Sequence, residues 1–167
     1  ELETKFIAAL QESSRPVVLV GGGIRQSGAE AKLQKFLALT EIPVFCSLCG
    51  LDVCPTGGEA FSGVFGSPGV REVLSDADLV LVLGSRLSSR QIGKDTNAYV
   101  ANAKLFMVES CPEELGRLPA HAQLIIRDVG DFLDTICERI NYKSPQAWQE
   151  ETKRRLRVAA CAERETD

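Results

Sequence analysis

Residues 17–23 read Val17-Val18-Leu19-Val20-Gly21-Gly22-Gly23, an apolar run that stops in three glycines. Four consecutive apolar residues, three of them β-branched, fit a strand buried on both faces. Upstream, Ser14-Arg15-Pro16 ends a segment whose Phe6, Ile7 and Leu10 share one helical face over residues 3–13. Downstream, residues 28–40 place Ala29, Leu33, Phe36, Leu37 and Leu39 at helical spacing. A buried strand between two helical patterns is the repeating unit of a parallel sheet. The glycines at its end allow two readings. They let backbone approach a ligand and adopt positive φ, and the helix that follows would offer its N-terminus to a phosphate. Equally, they make a tight strand-to-helix turn. Gly21, Gly23 and Gly28 are spaced G-x-G-x-x-x-x-G, not as the G-x-G-x-x-G dinucleotide fingerprint, and no Gly-Lys-Ser/Thr follows as in a P-loop.

The alternation continues along the chain. Ile42–Cys46 is a second strand, Ala77–Leu83 a third broken only by Asp78, Leu105–Val108 a fourth and Leu124–Ile126 a fifth. Val70–Leu74 suits a short helix. Asp128 opens a longer one that carries Val129, Phe132, Leu133, Ile136 and Ile140. The stretch from Ser47 to Gly69 holds six glycines and two prolines and reads as one long loop. Gly84 to Asn102 is polar and loop-like. The fold predicted is doubly wound, three-layer α/β/α, with a mostly parallel sheet of five or six strands. Ligands in such folds bind at the carboxyl ends of strands. From Lys143 the character changes: a helix from Ser144-Pro145 through Trp148 to about Ala160 carries Lys153, Arg154, Arg155 and Arg157 and few core residues. This divides the chain into a domain over 1–142 and a linker helix over 143–167.

Bulk composition narrows the function. With 167 residues, one domain with a sizeable core is expected. The net charge of −4 argues against general nucleic-acid binding, which needs clustered positive charge. Leu79–Leu83 is too short to span a bilayer. Glu1-Leu2-Glu3-Thr4 has no basic region followed by an apolar one, and six cysteines without an export signal read as reduced thiols in a cytoplasm. Cys46-Ser47-Leu48-Cys49 is a C-x-x-C that could hold metal or cycle as a disulfide, with Cys54 nearby. Without a second such pair, buried thiols acting as small hydrophobes are the simpler reading. His121, the only histidine, reads as a surface residue. No catalytic set and no metal cluster is recognisable. Gly84-Ser85-Arg86-Leu87-Ser88-Ser89-Arg90 follows a strand, and Arg86 and Arg90 there could meet a phosphate or simply line a solvated loop. Glu109 and Asp128 stand at strand ends, placed to accept from a ribose or to cap turns.

Taken in order, these segments form a series: Arg15–Gly23, Ile42-Pro43-Val44, Leu48-Cys49-Gly50-Leu51, Gly66-Ser67-Pro68-Gly69, Ser75–Arg86, Cys111–Gly116 and Arg127-Asp128-Val129. The series resembles the central domain of thiamine-diphosphate-dependent enzymes of the acetolactate synthase, pyruvate oxidase and benzoylformate decarboxylase type. The resemblance spans about residues 3–141. It implies a fold of the NAD/FAD-binding type set between two further α/β domains of the same chain. Those domains would bind thiamine diphosphate and Mg²⁺, so the present segment would be an excised central domain without catalytic activity. The whole enzyme would make or break a carbon–carbon bond of a 2-oxo acid and work as a homodimer or homotetramer. In the flavin-binding branch the corresponding contacts would fall on Gly21, Gly22, Gly23, Ser47, Leu48, Cys49, Gly66, Gly69, Gly84, Arg86, Arg90, Glu109, Ser110, Asp128 and Val129. The resemblance implies a seat for FAD or ADP, or for no nucleotide at all. Departures fall on this seat: Leu87-Ser88-Ser89-Arg90 stands where that branch has Phe-Asp-Asp-Arg, Glu109-Ser110-Cys111 where it has Asp-Ile-Asp, and Gly66-Ser67-Pro68-Gly69 where it has Gly-Met-His-Gly. Two other readings remain. One is a free-standing nucleotide-binding or sensor domain. The other is a relative of NAD-consuming deacylases, which would need a histidine motif and paired C-x-x-C modules.

Overall fold

The computed structural model describes residues 1–54, 61–67, 69–116 and 118–166, and only the backbone at 61, 89, 90, 96, 114 and 163–166. Six parallel strands form one sheet in the order β3-β2-β1-β4-β5-β6. They are β1 (Pro16–Val20), β2 (Val44–Cys46), β3 (Phe61–Val64), β4 (Leu79–Leu83), β5 (Lys104–Glu109) and β6 (Ala122–Ile126). The helices are α1 (Leu2–Glu12), α2 (Gly23–Gln26), α3 (Glu30–Thr40), α4 (Val70–Asp76), α5 (Ser89–Ile92), α6 (Val129–Arg139) and α7 (Gln146–Thr166). The chain winds outward from β1 through β2 to β3, then returns to add β4 on the other side. The switch point therefore lies between β1 and β4, whose residues pair from Pro16↔Leu79 to Val20↔Leu83.

Side chains alternate across the sheet, as a period of two requires. Val18, Val20, Val44, Cys46, Leu79, Leu81, Leu83, Phe106 and Val108 face the layer of α1, α3 and α6. Phe6 sits at its centre, its ring 5.4 Å from Phe106 and 5.8 Å from Phe132. Each such ring, fully removed from water, stabilises the fold by about 1.5–3 kcal/mol. Val17, Leu19, Phe45, Val80, Val82, Leu105 and Met107 face the other layer, where α4, Trp148 and the loops after β4 and β5 pack. Both faces are covered, which is why the strands lack any polar alternation.

Three expectations change. The stretch 47–69 is not one loop: its described part contains a short helical turn at Leu48–Gly50 and the edge strand β3. Phe61-Ser62-Gly63-Val64 hides this strand because it is short, contains glycine, and pairs with β2 through a register shift between Val44 and Phe45. The helical pattern of 28–40 is α3, and the helix that directly follows the glycines is instead a separate four-residue one, α2, divided from α3 where Gly28 takes φ +62°. Asp78, the one charge in the third strand pattern, lies just before β4. Its carboxylate accepts from Ser13 Oγ and from the amides of Ser14 (2.8 Å) and Arg15 (3.0 Å), fixing the turn between α1 and β1.

The helix after Lys143 also carries more core than its sequence suggests. Trp148 and Thr152 are buried and Leu156 packs against the second layer. Trp148 Nε1 donates to the carbonyl of Pro16 at 2.9 Å. Arg155 pairs with Asp76 at 2.6 Å and Glu151 at 2.7 Å, and the carbonyl of Arg155 and the methyl of Ala159 lie against Gly69. The stripe 148, 152, 155/156, 159 has helical period, but a threonine and an arginine in it conceal it from a hydropathy reading. Beyond it Val158 and Cys161 are exposed.

Candidate functional site

The carboxyl ends of β1, β2 and β4 bring Gly21, Gly22, Gly23, Ser47, Cys49 and Gly84 together. What fills the space beside each glycine decides what the corner does. A methyl added at Gly21 would sit 2.4 Å from the carbonyl oxygen of Gly84. At Gly23 it would sit 2.6 Å from the Cα of Gly84, and at Gly84, where φ is +58°, 2.7 Å from the Cα of Gly23. At Gly50 it would meet the carbonyl of Val20 at 2.9 Å and at Gly22 that of Cys49 at 3.1 Å. The bareness of these glycines is thus used by other backbone. Two loops clamp the turn, one after β2 and one after β4.

The amides are engaged as well. Gly21 N–H donates to Leu83 O and Gly23 N–H to Gly84 O, each at 3.0 Å, and Ile24 N–H returns to Gly21 O at 3.3 Å. The helix that follows, α2, is four residues long. Outside the corner, Arg25 on α2 forms an ion pair with Asp52, and the guanidinium holds that carboxylate below its ordinary pKa. A narrow cleft lined by Leu19, Val20, Ser47, Phe65, Ser85, Leu87 and Gln91 opens beside the corner. A diphosphate laid on Gly21–Gly23 would compete with backbone carbonyls for the amides of Gly21 and Gly23.

The remaining candidates are placed as follows. Leu48 and Cys49 are exposed on the turn after β2, and Ser47 beneath them is buried, its amide on Val20 O at 2.9 Å. Gly66 is exposed with open space beside it. Gly69 faces α7, away from the glycine corner. Arg86 is exposed after β4, and the side chain of Arg90 lies outside the described residues. Glu109 Oε1 accepts from the amides of Ser110 (2.9 Å) and Cys111 (3.2 Å), closing the turn after β5. Asp128 Oδ1 accepts from Gly130 N (2.8 Å) and Asp131 N (3.1 Å), capping α6, in which Val129 is buried. Both carboxylates act locally, in the capping role that was one of their two sequence readings.

Cys46 and Cys54 are both buried in the same core layer, as small hydrophobes would be, whereas Cys49 is exposed; the neighbouring Cys54 and burial push the Cys46 thiol up. His121 is half-buried, not a plain surface residue, and its Nε2 is shielded without a partner among the described residues. No group of three or more His, Cys, Asp or Glu among the described residues is arranged to hold a metal ion. None of the described helices is long and apolar enough to cross a membrane.

An open parallel sheet with its switch point between β1 and β4, flanked by glycine-bearing strand ends, defines a doubly wound α/β domain of the nucleotide-binding architecture. Within that class, residues 4–136 match the family model of the thiamine pyrophosphate enzyme central domain, and the chain belongs to that family. It is 30% identical over 146 residues to the acetolactate synthase isozyme 1 large subunit of Escherichia coli K12, covering 86% of this chain and 25% of that one. It is 37% identical over 120 residues to the chloroplastic acetolactate synthase 1 of Zea mays, covering 70% and 18%. A solved Mycobacterium smegmatis structure described as a thiamin diphosphate-dependent enzyme superposes with a TM-score of 0.68 at 18% identity, over 85% of this chain and 28% of that one. The chain thus spans a quarter or less of the length of these curated relatives.

Proposed function

We propose that this chain is the architectural middle of a larger thiamine-diphosphate- and Mg²⁺-dependent enzyme that acts on 2-oxo acids in the cytoplasm. One observation carries the proposal. The chain matches the family's central domain over 133 residues, yet its two acidic candidates, Glu109 and Asp128, close a turn and cap a helix. On this reading the cofactor supplies the carbanion chemistry, and neighbouring domains of the same polypeptide bind it. The role of this segment is to fix the spacing of those domains and contribute to a dimeric or tetrameric assembly. Its covered sheet and clamped strand ends make it a rigid spacer. The proposal gives the segment no FAD or ADP, because the amides of Gly21 and Gly23 already donate to backbone carbonyls.

The test is thermal denaturation of the chain with FAD, ADP, and thiamine diphosphate plus Mg²⁺ in turn. A ligand held at a hundred times its Kd would stabilise the folded state by about 2.7 kcal/mol. No shift is expected with any of the three at millimolar concentration. A saturable rise with FAD or ADP would overturn the account of the glycine corner. One with thiamine diphosphate and Mg²⁺ would overturn the architectural role.

A further inference from the structure

The first turns of α7 are fixed at the amino end of the sheet. Trp148 is buried, and its Nε1 donates to the carbonyl of Pro16, the first residue of β1, at 2.9 Å. Just before the helix, Lys143 pairs with Glu41 at 2.6 Å and Ser144 N donates to Thr40 O at 2.7 Å, which ties its entry to the end of α3. Further along, Arg155 lies between its own helix and α4. Its guanidinium meets Glu151 (2.7 Å), Asp76 (2.6 Å) and the carbonyl of Glu72 (3.2 Å). A turn later α7 passes over Gly69, the residue before α4, whose φ is +80°. A methyl added there would sit 3.0 Å from Ala159 Cβ and 3.2 Å from the Arg155 carbonyl, so the close approach of the two helices uses the bare glycine. α7 therefore runs antiparallel to α4 and touches it at both ends.

These contacts span the height of the sheet. From Trp148 to Ala159 the helix rises about 16 Å at 1.5 Å per residue, close to the roughly 17 Å of the five-residue β1. Gly69 follows β3 and so stands at the carboxyl end of the sheet. α7 continues to Thr166, about 10 Å beyond Ala159. The indole, the Arg155 fork and the Gly69 notch are separate anchors along one rod, so the helix cannot pivot about one without straining another. Exposed ion pairs add little stability, but a planar guanidinium held on three acceptors fixes a direction. We infer that α7 is a rigid lever: the Arg155 fork and the Gly69 notch set its angle, and it carries whatever the larger polypeptide joins to it past the carboxyl end of the sheet, the end that also holds the glycine corner. The inference rests on the reading of this chain as the middle of a larger enzyme. It makes Arg155 and Gly69 positioning residues, and it gives Gly69 a role other than contact with a flavin.

The experiment measures the distance between two nitroxide labels by pulsed electron resonance. One is placed on the exposed natural Cys161, just past the notch, and the other on Ala38→Cys, exposed on α3 in the opposite layer. Cys49, Cys111 and Cys137 are changed to serine, and the buried Cys46 and Cys54 are shielded from the label. The expected result is one narrow distance. Arg155→Gln and Gly69→Ala should each shift or broaden it, with a urea melt showing that the variant is folded. If Gly69→Ala does not fold, Arg155→Gln decides alone. A broad or multiple distance in the chain with Arg155 and Gly69 intact overturns the lever. So does a peak unchanged in position and width in every folded variant. A rise in melting temperature with FAD, ADP or thiamine diphosphate would instead undo the architectural reading and leave this distance as it is.

Discussion

Replacing Gly84 by alanine tests the claim that the glycines serve loop-on-loop packing. Two penalties add at this position. Gly84 holds φ +58°, and a left-handed conformation costs an L-residue roughly 1–2 kcal/mol. The new methyl would also lie 2.7 Å from Gly23 Cα and 2.9 Å from Ile24 N. Backbone atoms cannot rotate aside, and overpacking of this kind costs roughly 1–3 kcal/mol. The sum, about 2–5 kcal/mol, is a large part of the 5–15 kcal/mol or so that holds a domain of this size together. Gly28 supplies the control. Its φ is +62°, and nothing lies within 4 Å of its added methyl, so Gly28→Ala carries only the conformational cost of about 1–2 kcal/mol. In urea, with a slope of about 2 kcal/mol per molar, Gly84→Ala is expected to lower the midpoint by roughly 1–2.5 M and Gly28→Ala by roughly 0.5–1 M. Equal midpoints for the two variants, with unchanged slopes, would refute the packing argument.

Other expectations follow from single contacts. Trp148→Phe leaves the Pro16 carbonyl without the indole donor at 2.9 Å and should destabilise the chain by about 1–3 kcal/mol in denaturant melts. A similar loss from a variant truncated before Gln146 would show that α7 belongs to this domain's core. Asp128→Ala removes the cap of α6 and should cost about 1 kcal/mol, with Asp128→Asn recovering most of it. Burial, with help from the nearby Asp78 carboxylate, pushes the Tyr142 phenol up to about 12. The folded chain then keeps a proton that the unfolded chain gives up near pH 10, so this stability is complete below pH 10 and declines as pH rises through 12. Tyr142→Phe should flatten that alkaline decline in a series of melting temperatures, and an unchanged slope would contradict it.

The architecture was legible because strands buried on both faces leave unbroken apolar runs. Val17–Val20 and Leu79–Leu83 each announce a central strand, and Phe6, Leu33 and Phe132 mark the helices above them. The edge strand β3 was not legible. It is stabilised by pairing with β2, not by its own four residues, one of which is glycine. Where the candidate residues sit was legible at the strand ends. Gly21, Gly23 and Gly84 do converge at the switch point, but sequence cannot tell a glycine cleared for a ligand from one cleared for another loop. Glu109 and Asp128 likewise stand at strand ends, and only the hydrogen-bond partners reveal turn and cap. For the cysteines, buried thiols as small hydrophobes was the simpler reading and holds for Cys46 and Cys54, while nothing in the local C-x-x-C pattern announced that Cys54, past the turn at Leu48–Gly50, and not Cys49, returns to the core layer.

The central claim is that this segment shapes an enzyme without carrying its chemistry. Its most direct test is carbon dioxide release from pyruvate by the purified chain, supplied with thiamine diphosphate, Mg²⁺ and FAD and compared with a protein-free control. The account predicts release no faster than the control. Release that is saturable in pyruvate and proportional to the concentration of this chain would contradict it.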